Sequence, residues 1–238
     1  MLLRVDDLSA GYGRVEVLRS ISLDVGKEER VGLFGPNGHG KTTLLRTISG
    51  LIRPNRGSIT FDNREIRRLP PDAIVDRGLI HVAQGSTLFP RMTVLENLML
   101  GAYSKRAWPH RAENLERVYK LFPILKERTK QLARTLSGGQ RQMASIGIGL
   151  MGMPTLLMLD EPTLGLAPKI KDELTQAINE IAASGVSMVV VDQDIELLLA
   201  VCGRLYLVEQ GRVSLETRQG EQIAEEDVLE MYFGKIAT

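Results

Sequence analysis

Three clusters of residues in this chain of 238 have the types and spacing to do chemistry. The first is Gly35-Pro36-Asn37-Gly38-His39-Gly40-Lys41-Thr42, followed by Thr43. It fits the loop pattern G-x-x-x-x-G-K-[ST], in which glycines let backbone N–H groups converge on phosphate oxygens and the next helix turns its positive end toward them. In that pattern Lys41 reaches the β- and γ-phosphates of a nucleotide, and the Thr42 hydroxyl ligates Mg²⁺. A glycine-rich turn is the plain alternative. The buried-type strand at 30–34 and the helical run at 43–49 weigh against it, because they supply the flanks that the pattern needs.

The second cluster is Leu156-Leu157-Met158-Leu159-Asp160-Glu161. Four apolar residues followed by two carboxylates put Asp160 at the C-terminal end of a buried strand, where ligands of open α/β sheets collect. Asp160 can hold Mg²⁺ through water, and Glu161 can orient or deprotonate an attacking water. Many strands simply end in a solvated acid, so this cluster gains its meaning from the phosphate loop. The third is Leu136-Ser137-Gly138-Gly139-Gln140-Arg141-Gln142, just before a helical run at 143–151. Ser137 can cap that helix or bind an anion, and Gly138-Gly139 lets backbone amides approach phosphate. Taken alone it is a capped helix start.

These clusters need a scaffold, and the hydrophobic pattern describes one. Short β-rich stretches with turn residues between them come first, at 2–8, 15–25 and 58–66. From residue 30 onward, apolar runs at 30–34, 79–83, 156–159, 186–191 and 205–209 alternate with helical patterns. Such runs suit a mostly parallel sheet covered on both faces. The stretch 86–150 reads as wholly helical, broken at Trp108-Pro109. Gln210-Gly211 reads as a tight turn between two strands, with a helix at about 224–232 to follow. The expected organisation is one α/β domain over 1–238. Residues 1–85 and 152–238 make the core with an antiparallel β subdomain, and 86–151 are a helical insertion carrying the third cluster.

Composition narrows the function further. Thirty Lys+Arg against 29 Asp+Glu leave a formal charge of +1, which provides no broad basic field for nucleic acid. The single cysteine, Cys202, cannot form an internal disulfide, so a reducing compartment fits. The longest apolar run, 146–159, is interrupted by Pro154 and glycines, and a spanning helix needs about 20 apolar residues. Arg4, Asp6 and Asp7 come before any apolar core could form, so no signal peptide is expected there.

The order of the clusters (phosphate loop, Leu-Ser-Gly-Gly-Gln, then the paired acids) resembles the ATP-binding cassette (ABC) family over nearly the whole chain. The resemblance implies a P-loop ATPase fold that binds ATP and Mg²⁺. It also implies two cassettes meeting head to tail, so that Ser137, Gly138, Gly139 and Gln140 contact the γ-phosphate held by the partner cassette's phosphate loop. Tyr12 matches the aromatic that stacks on adenine; a plain turn tyrosine is the alternative. Gln84 matches the glutamine that touches Mg²⁺ and the attacking water, and the loop at 164–167 matches the one that crosses the dimer interface.

Two positions depart from the family pattern. Gln193, in Asp192-Gln193-Asp194, stands where most cassettes carry a histidine. Its amide can donate to a phosphate oxygen but cannot become cationic, so Glu161 should carry more of the catalysis. His39 replaces a small residue and is expected to be a tolerated, solvent-side change rather than a metal ligand.

The Gln193 substitution resembles the cassettes of branched-chain amino acid importers, as do the stretches 88–98 and 161–168 and the terminal Tyr232-Phe233-Gly234. The expected function is therefore ATP hydrolysis that powers amino acid import, with an alternative cargo such as urea, amides or a lipid-linked substrate. A soluble cassette acting on nucleic acid or the ribosome is the more distant alternative. Expected partners are membrane-spanning permease subunits, a second cassette (another copy of this chain or a different cassette) and, indirectly, a solute-binding protein, with no nucleic acid. Phe89, Pro90 and Met92 are expected to meet a short permease helix. The expected location is peripheral, on the cytoplasmic face of the plasma membrane.

Overall fold

The structure, a computed structural model, describes residues 1–85 and 88–217. In chain order the first half holds β1 (Leu3–Tyr12), β2 (Val15–Val25), β3 (Arg30–Phe34), α1 (Lys41–Ile48), β4 (Arg56–Phe61), β5 (Arg64–Glu65), α2 (Pro71–Val75) and β6 (Leu79–Val82). A helical segment follows with α3 (Val94–Gly101), α4 (Arg111–Leu121), α5 (Pro123–Glu127) and α6 (Gly138–Met151). The remainder alternates β7 (Leu156–Asp160), α7 (Pro168–Ala183), β8 (Ser187–Val191), α8 (Ile195–Val201), β9 (Arg204–Glu209) and β10 (Arg212–Glu216).

The strands form two sheets. One is antiparallel, in the order β2-β1-β4-β5; the other runs β10-β9-β3-β8-β7-β6, parallel throughout except for the β10–β9 hairpin. Strand side chains alternate between faces, and both faces of the parallel sheet are covered. Leu79, Leu156, Met158, Val189 and Val191 pack toward α1 and the antiparallel sheet, whereas Ile80, Leu157, Leu159, Met188 and Val190 pack toward the helical segment and α7. Every residue of β7 and β8 is buried. At about 1.5–3 kcal/mol for each buried aliphatic side chain, these strands form a rigid base. The C-terminal ends of β3, β8 and β7 lie side by side, so the segments that follow them converge.

The two sheets are joined by charge as well as by core. Arg204, with only 11% of its side chain exposed, donates to Glu29 (2.8 Å), Asp24 (3.0 Å) and Glu216 (2.7 Å). A buried guanidinium this fully paired offsets its desolvation cost and would be strongly destabilising if its partners were removed.

The α/β expectation matches this architecture, with local differences. The expected β-rich stretch 58–66, with Asp62-Asn63 read as turn residues, is a hairpin of β4 and β5: Asp62 and Asn63 both take positive φ (45° and 59°) and reverse the chain. α2 was not expected; it is a single short helix with Pro71 at its start. The stretch read as wholly helical contains 3₁₀ turns at Trp108–His110 and Ala133–Thr135, and an isolated bridge between Thr93 and Leu132. α6 starts at Gly138 rather than at residue 143, since Ser137 caps it. The expected C-terminal helix and Tyr232-Phe233-Gly234 lie outside the described residues.

Candidate nucleotide site

The loop after β3 is shaped by glycines at positions where a side chain would not fit or would strain the backbone. Gly35 has φ 135°, and a Cβ there would lie 2.2 Å from the Val208 carbonyl oxygen. Gly38 and Gly40 take φ of 79° and 107°. The loop delivers its last residues into α1, with Gly40 in the N-cap position, so the N–H groups of the first turn open toward the cleft. Lys41 is buried, and its ammonium donates to the Gly35 carbonyl (2.6 Å) and the Pro36 carbonyl (3.0 Å). Burial lowers its pKa, against the pull of Glu161, Asp160 and Asp192.

Next to Lys41 on α1, the Thr42 hydroxyl donates to Asp160 Oδ1 at 3.1 Å. Asp160 is 1% exposed, and its other oxygen, Oδ2, is enclosed with no hydrogen-bond partner among the described residues. Burial raises its pKa, partly countered by the Thr42 hydrogen bond. An enclosed carboxylate oxygen without a donor, beside a hydroxyl and a phosphate cradle, is a hard-oxygen set that fits Mg²⁺, a cation usually held by one or two carboxylates plus substrate phosphates.

Glu161 is held from two sides. Its Oε2 accepts from Gln84 Nε2 (2.7 Å) and its Oε1 from Gln193 Nε2 (3.1 Å). Gln84 comes from the end of β6 and Gln193 from the end of β8, so both neighbours of β7 aim an amide at the carboxylate. Glu161 is a non-glycine residue at φ 49°, a conformation that costs about 1–3 kcal/mol and tends to persist where the surroundings over-determine it. Its N–H donates to the Val191 carbonyl at 2.7 Å. Asp192 then fixes the loop after Glu161, its Oδ2 accepting from the Thr163 hydroxyl at 2.8 Å and from the Thr163 N–H at 3.2 Å.

Asn37, Gly38, Gly40, Lys41, Thr42 and Thr43 share one cleft of about 440 Å³ with Gln84, Glu161, Gln193 and Leu164. Tyr12 is 48% exposed, and its hydroxyl accepts from Arg46 Nη1 at 3.3 Å, which puts an open aromatic face near α1. The Ser137 cluster is not part of the cleft lining. Ser137 and Gln140 form a reciprocal capping box, with Gln140 Oε1 accepting from Ser137 N (3.0 Å) and Ser137 Oγ from Gln140 N (3.3 Å). Ser137 and Gly138 are exposed, but Gly139 is buried, and a Cβ there would meet Ile170 of α7 at 2.6 Å. Gly139 is thus small for packing within its own chain.

His39 differs from expectation. Its Nδ1 accepts from Gln210 N (3.2 Å) and its carbonyl from Gly211 N (3.0 Å), so the ring ties the phosphate loop to the β9–β10 turn instead of facing solvent freely. Sequence reasoning also passed over Asn97, which is fully buried on α3. It accepts from Phe89 N at 2.7 Å and donates to Phe89 O at 3.1 Å, securing Phe89 against α3. An asparagine in an apolar helix was the available signal.

The family model for ABC transporters matches residues 18–164. The chain is 37% identical to the high-affinity branched-chain amino acid transport ATP-binding protein BraG of Pseudomonas aeruginosa, over 98% of this chain and 100% of that one. It is 32% identical to the lipopolysaccharide export system ATP-binding protein LptB of Haemophilus influenzae, over 98% of each. The dimeric post-hydrolysis structure of the cassette MJ0796, bound to ADP and Pi, has a TM-score of 0.79 at 25% identity and covers 93% of this chain and 100% of its own. The chain belongs to the ABC transporter family, as one of its ATP-binding, ATP-hydrolysing cassettes.

Proposed function

We propose that this cassette powers amino acid import, hydrolysing ATP in a head-to-tail pair in which each nucleotide is clasped by two chains. The observation that carries the reading is Glu161, held between Gln84 and Gln193 at the edge of the phosphate cradle. A carboxylate oriented in this way can accept a proton from water as the water attacks the γ-phosphate. In this reading Lys41 leaves the loop carbonyls for phosphate oxygens, and the loop N–H groups hold the remaining charge. Thr42 and Asp160 would hold Mg²⁺, with Gln84 at its edge; when bound, the ion supplies charge neutralisation on the β- and γ-phosphates. Tyr12 stacks on the adenine.

The exposed Ser137-Gly138 start of α6 would complete the partner's cleft, which explains why it is not part of the lining of its own. ATP then joins two chains, and hydrolysis releases them. Residues 86–151 act as a separate subdomain in this scheme, reporting the state of Gln84 to a permease helix near the exposed Phe89 (56% accessible). Among the described residues no helix is long and apolar enough to cross a membrane, so the permease supplies the span, with the cassette on its cytoplasmic face.

The Glu161→Gln variant tests the core of this reading. It should bind ATP, form a longer-lived dimer and lose turnover; undiminished hydrolysis would remove Glu161 from its role. For the cargo, the likeness to the branched-chain amino acid relative favours import of those amino acids, assisted by a solute-binding protein. The likeness to the lipopolysaccharide export relative supports a second reading, export of a lipid. Co-purification with the permease decides between them. Leucine-stimulated turnover in the reconstituted complex supports the first, and stimulation by lipid alone supports the second.

A further inference from the structure

A second cleft, of about 640 Å³, lies between α4, the C-terminal end of α7 and the segment that enters β7, and shares no lining residue with the nucleotide cleft. Its size is that of small-molecule sites, about 300–1,000 Å³. Arg106, Arg117 and Lys120 line it, against a single acid, Glu180. Arg117 is paired with Glu113 (2.7 Å) and Glu180 accepts from Gln176 (3.0 Å). Arg106 donates to the neutral Thr155 hydroxyl (3.1 Å), and neither it nor Lys120 has an ion-pair partner among the described residues. Positive charge is therefore in excess along a concave, partly apolar wall, a setting that concentrates anions.

An independent observation comes from Asn114. This cleft-lining residue is 4% exposed, and its Nδ2 is enclosed with no hydrogen-bond partner among the described residues. An unmet buried amide is destabilising, and an aliphatic side chain would pack there without that cost. Leu121, Leu150 and Ile181 supply apolar wall between the polar groups.

We propose that this cleft is a binding site for a small organic anion that carries one phosphate or carboxylate group on an apolar body. Arg106 and Lys120 neutralise the anionic group, Asn114 turns its amide to meet it, and the body lies against Leu121, Leu150 and Ile181.

The test titrates 1-naphthyl phosphate into the full chain with ADP present at saturation, read by calorimetry and ligand-observed NMR. Saturable binding to one site is expected. The exposed double variant Arg106→Gln/Lys120→Gln should weaken it about tenfold or more, the effect of losing hydrogen bonds to a charged group. Asn114→Leu should weaken it too while raising the melting temperature, whereas a merely structural asparagine would leave binding unchanged. Four results would overturn the proposal: no saturable binding with ADP present, undiminished binding in the double variant, unchanged binding in Asn114→Leu, or equal affinity for neutral 1-naphthol.

Discussion

Gln193 ties Glu161 to the phosphate loop. Its Nε2 donates to Glu161 Oε1 at 3.1 Å, and its Oε1 accepts from Asn37 Nδ2 at 3.5 Å. One neutral side chain thus spans the acid after β7 and the loop after β3, and it does so without a titrating group.

That neutrality has a kinetic signature. A hydrogen bond to a charged group contributes about 1.5–3 kcal/mol, so Gln193→Ala should lower kcat by about tenfold or more. Gln193→His should recover part of the loss and add a titration near neutral pH that the native enzyme lacks. Both follow from kcat measured across the neutral range. A Gln193→Ala enzyme with native kcat, or a Gln193→His profile identical to the native one, would show that the bridge does not matter for turnover.

Asp160 should trade stability for function. Burial raises its pKa, so the folded state holds its proton more tightly than the unfolded state, and the ionised form is a net cost at neutral pH. That cost fades as pH falls through the raised folded value. Asp160→Asn keeps an oxygen for the Thr42 hydroxyl and removes the charge. At pH 7 it should therefore raise the melting temperature. Turnover should fall by about two orders of magnitude with the loss of a metal-holding carboxylate. A calorimetric scan beside an ATPase assay checks both directions at once, and a lower melting temperature would refute the cost assigned to the charge.

The phosphate loop, the acid pair and the α6 cap were legible because each is a local pattern whose flanks are also local. β3 ends just before Gly35, and the Ser137–Gln140 capping box closes over three residues. What could not be read is which distant groups meet. The motifs give Thr42 and Asp160, 118 residues apart, a shared Mg²⁺ but not their direct hydrogen bond, and nothing local pairs His39 with Gln210, 171 residues away. Such pairs are set by strand order, which the hydrophobic pattern does not specify. For that reason neither the contact of His39 with the β9–β10 turn nor the packing of Gly139 against Ile170 was foreseen. The Asp62-Asn63 turn was legible too, as a local pair of turn residues; what the β-rich run 58–66 did not show is that the chain pairs back on itself there as β4 and β5.

His81 predicts an acid sensitivity of the fold. Its Nδ1 is 3.2 Å from Ser49 Oγ at the end of α1, its Nε2 is enclosed with no partner among the described residues, and burial, with Arg46 nearby, pushes its pKa down to about 4. The unfolded chain protonates this residue near the ordinary value of 6.5, while the folded chain resists until about 4. Within that window the unfolded state binds the extra proton, so stability falls as pH drops. The loss attributable to His81 should be about 2 kcal/mol between pH 6.5 and pH 5, at about 1.4 kcal/mol per pH unit. Urea unfolding at several pH values should give a shallower decline for His81→Gln than for the native chain, and parallel declines would remove His81 as the cause.

Gly138 separates what this chain needs from what a partner needs. A Cβ at Gly138 would meet nothing closer than Leu166 Cδ2 at 3.9 Å, whereas one at Gly139 would press on Ile170 at 2.6 Å. Gly138 also opens α6, where alanine is a better helix former by about 1 kcal/mol. Gly138→Ala should therefore leave the isolated chain as stable as before or slightly more so, and Gly139→Ala should destabilise it by about 1–3 kcal/mol through overpacking. In the head-to-tail pair the added methyl of Gly138→Ala would stand between the start of α6 and the partner's nucleotide, so turnover should fall sharply although folding does not. Mixing Gly138→Ala chains with Lys41→Ala chains should restore activity in part. Each mixed pair then holds one composite site with an intact phosphate loop and an intact Ser137-Gly138 start, and one site lacking both. If Gly138→Ala alone kept full turnover, or the mixture stayed as inactive as its parents, the start of α6 would have no part in a neighbour's site.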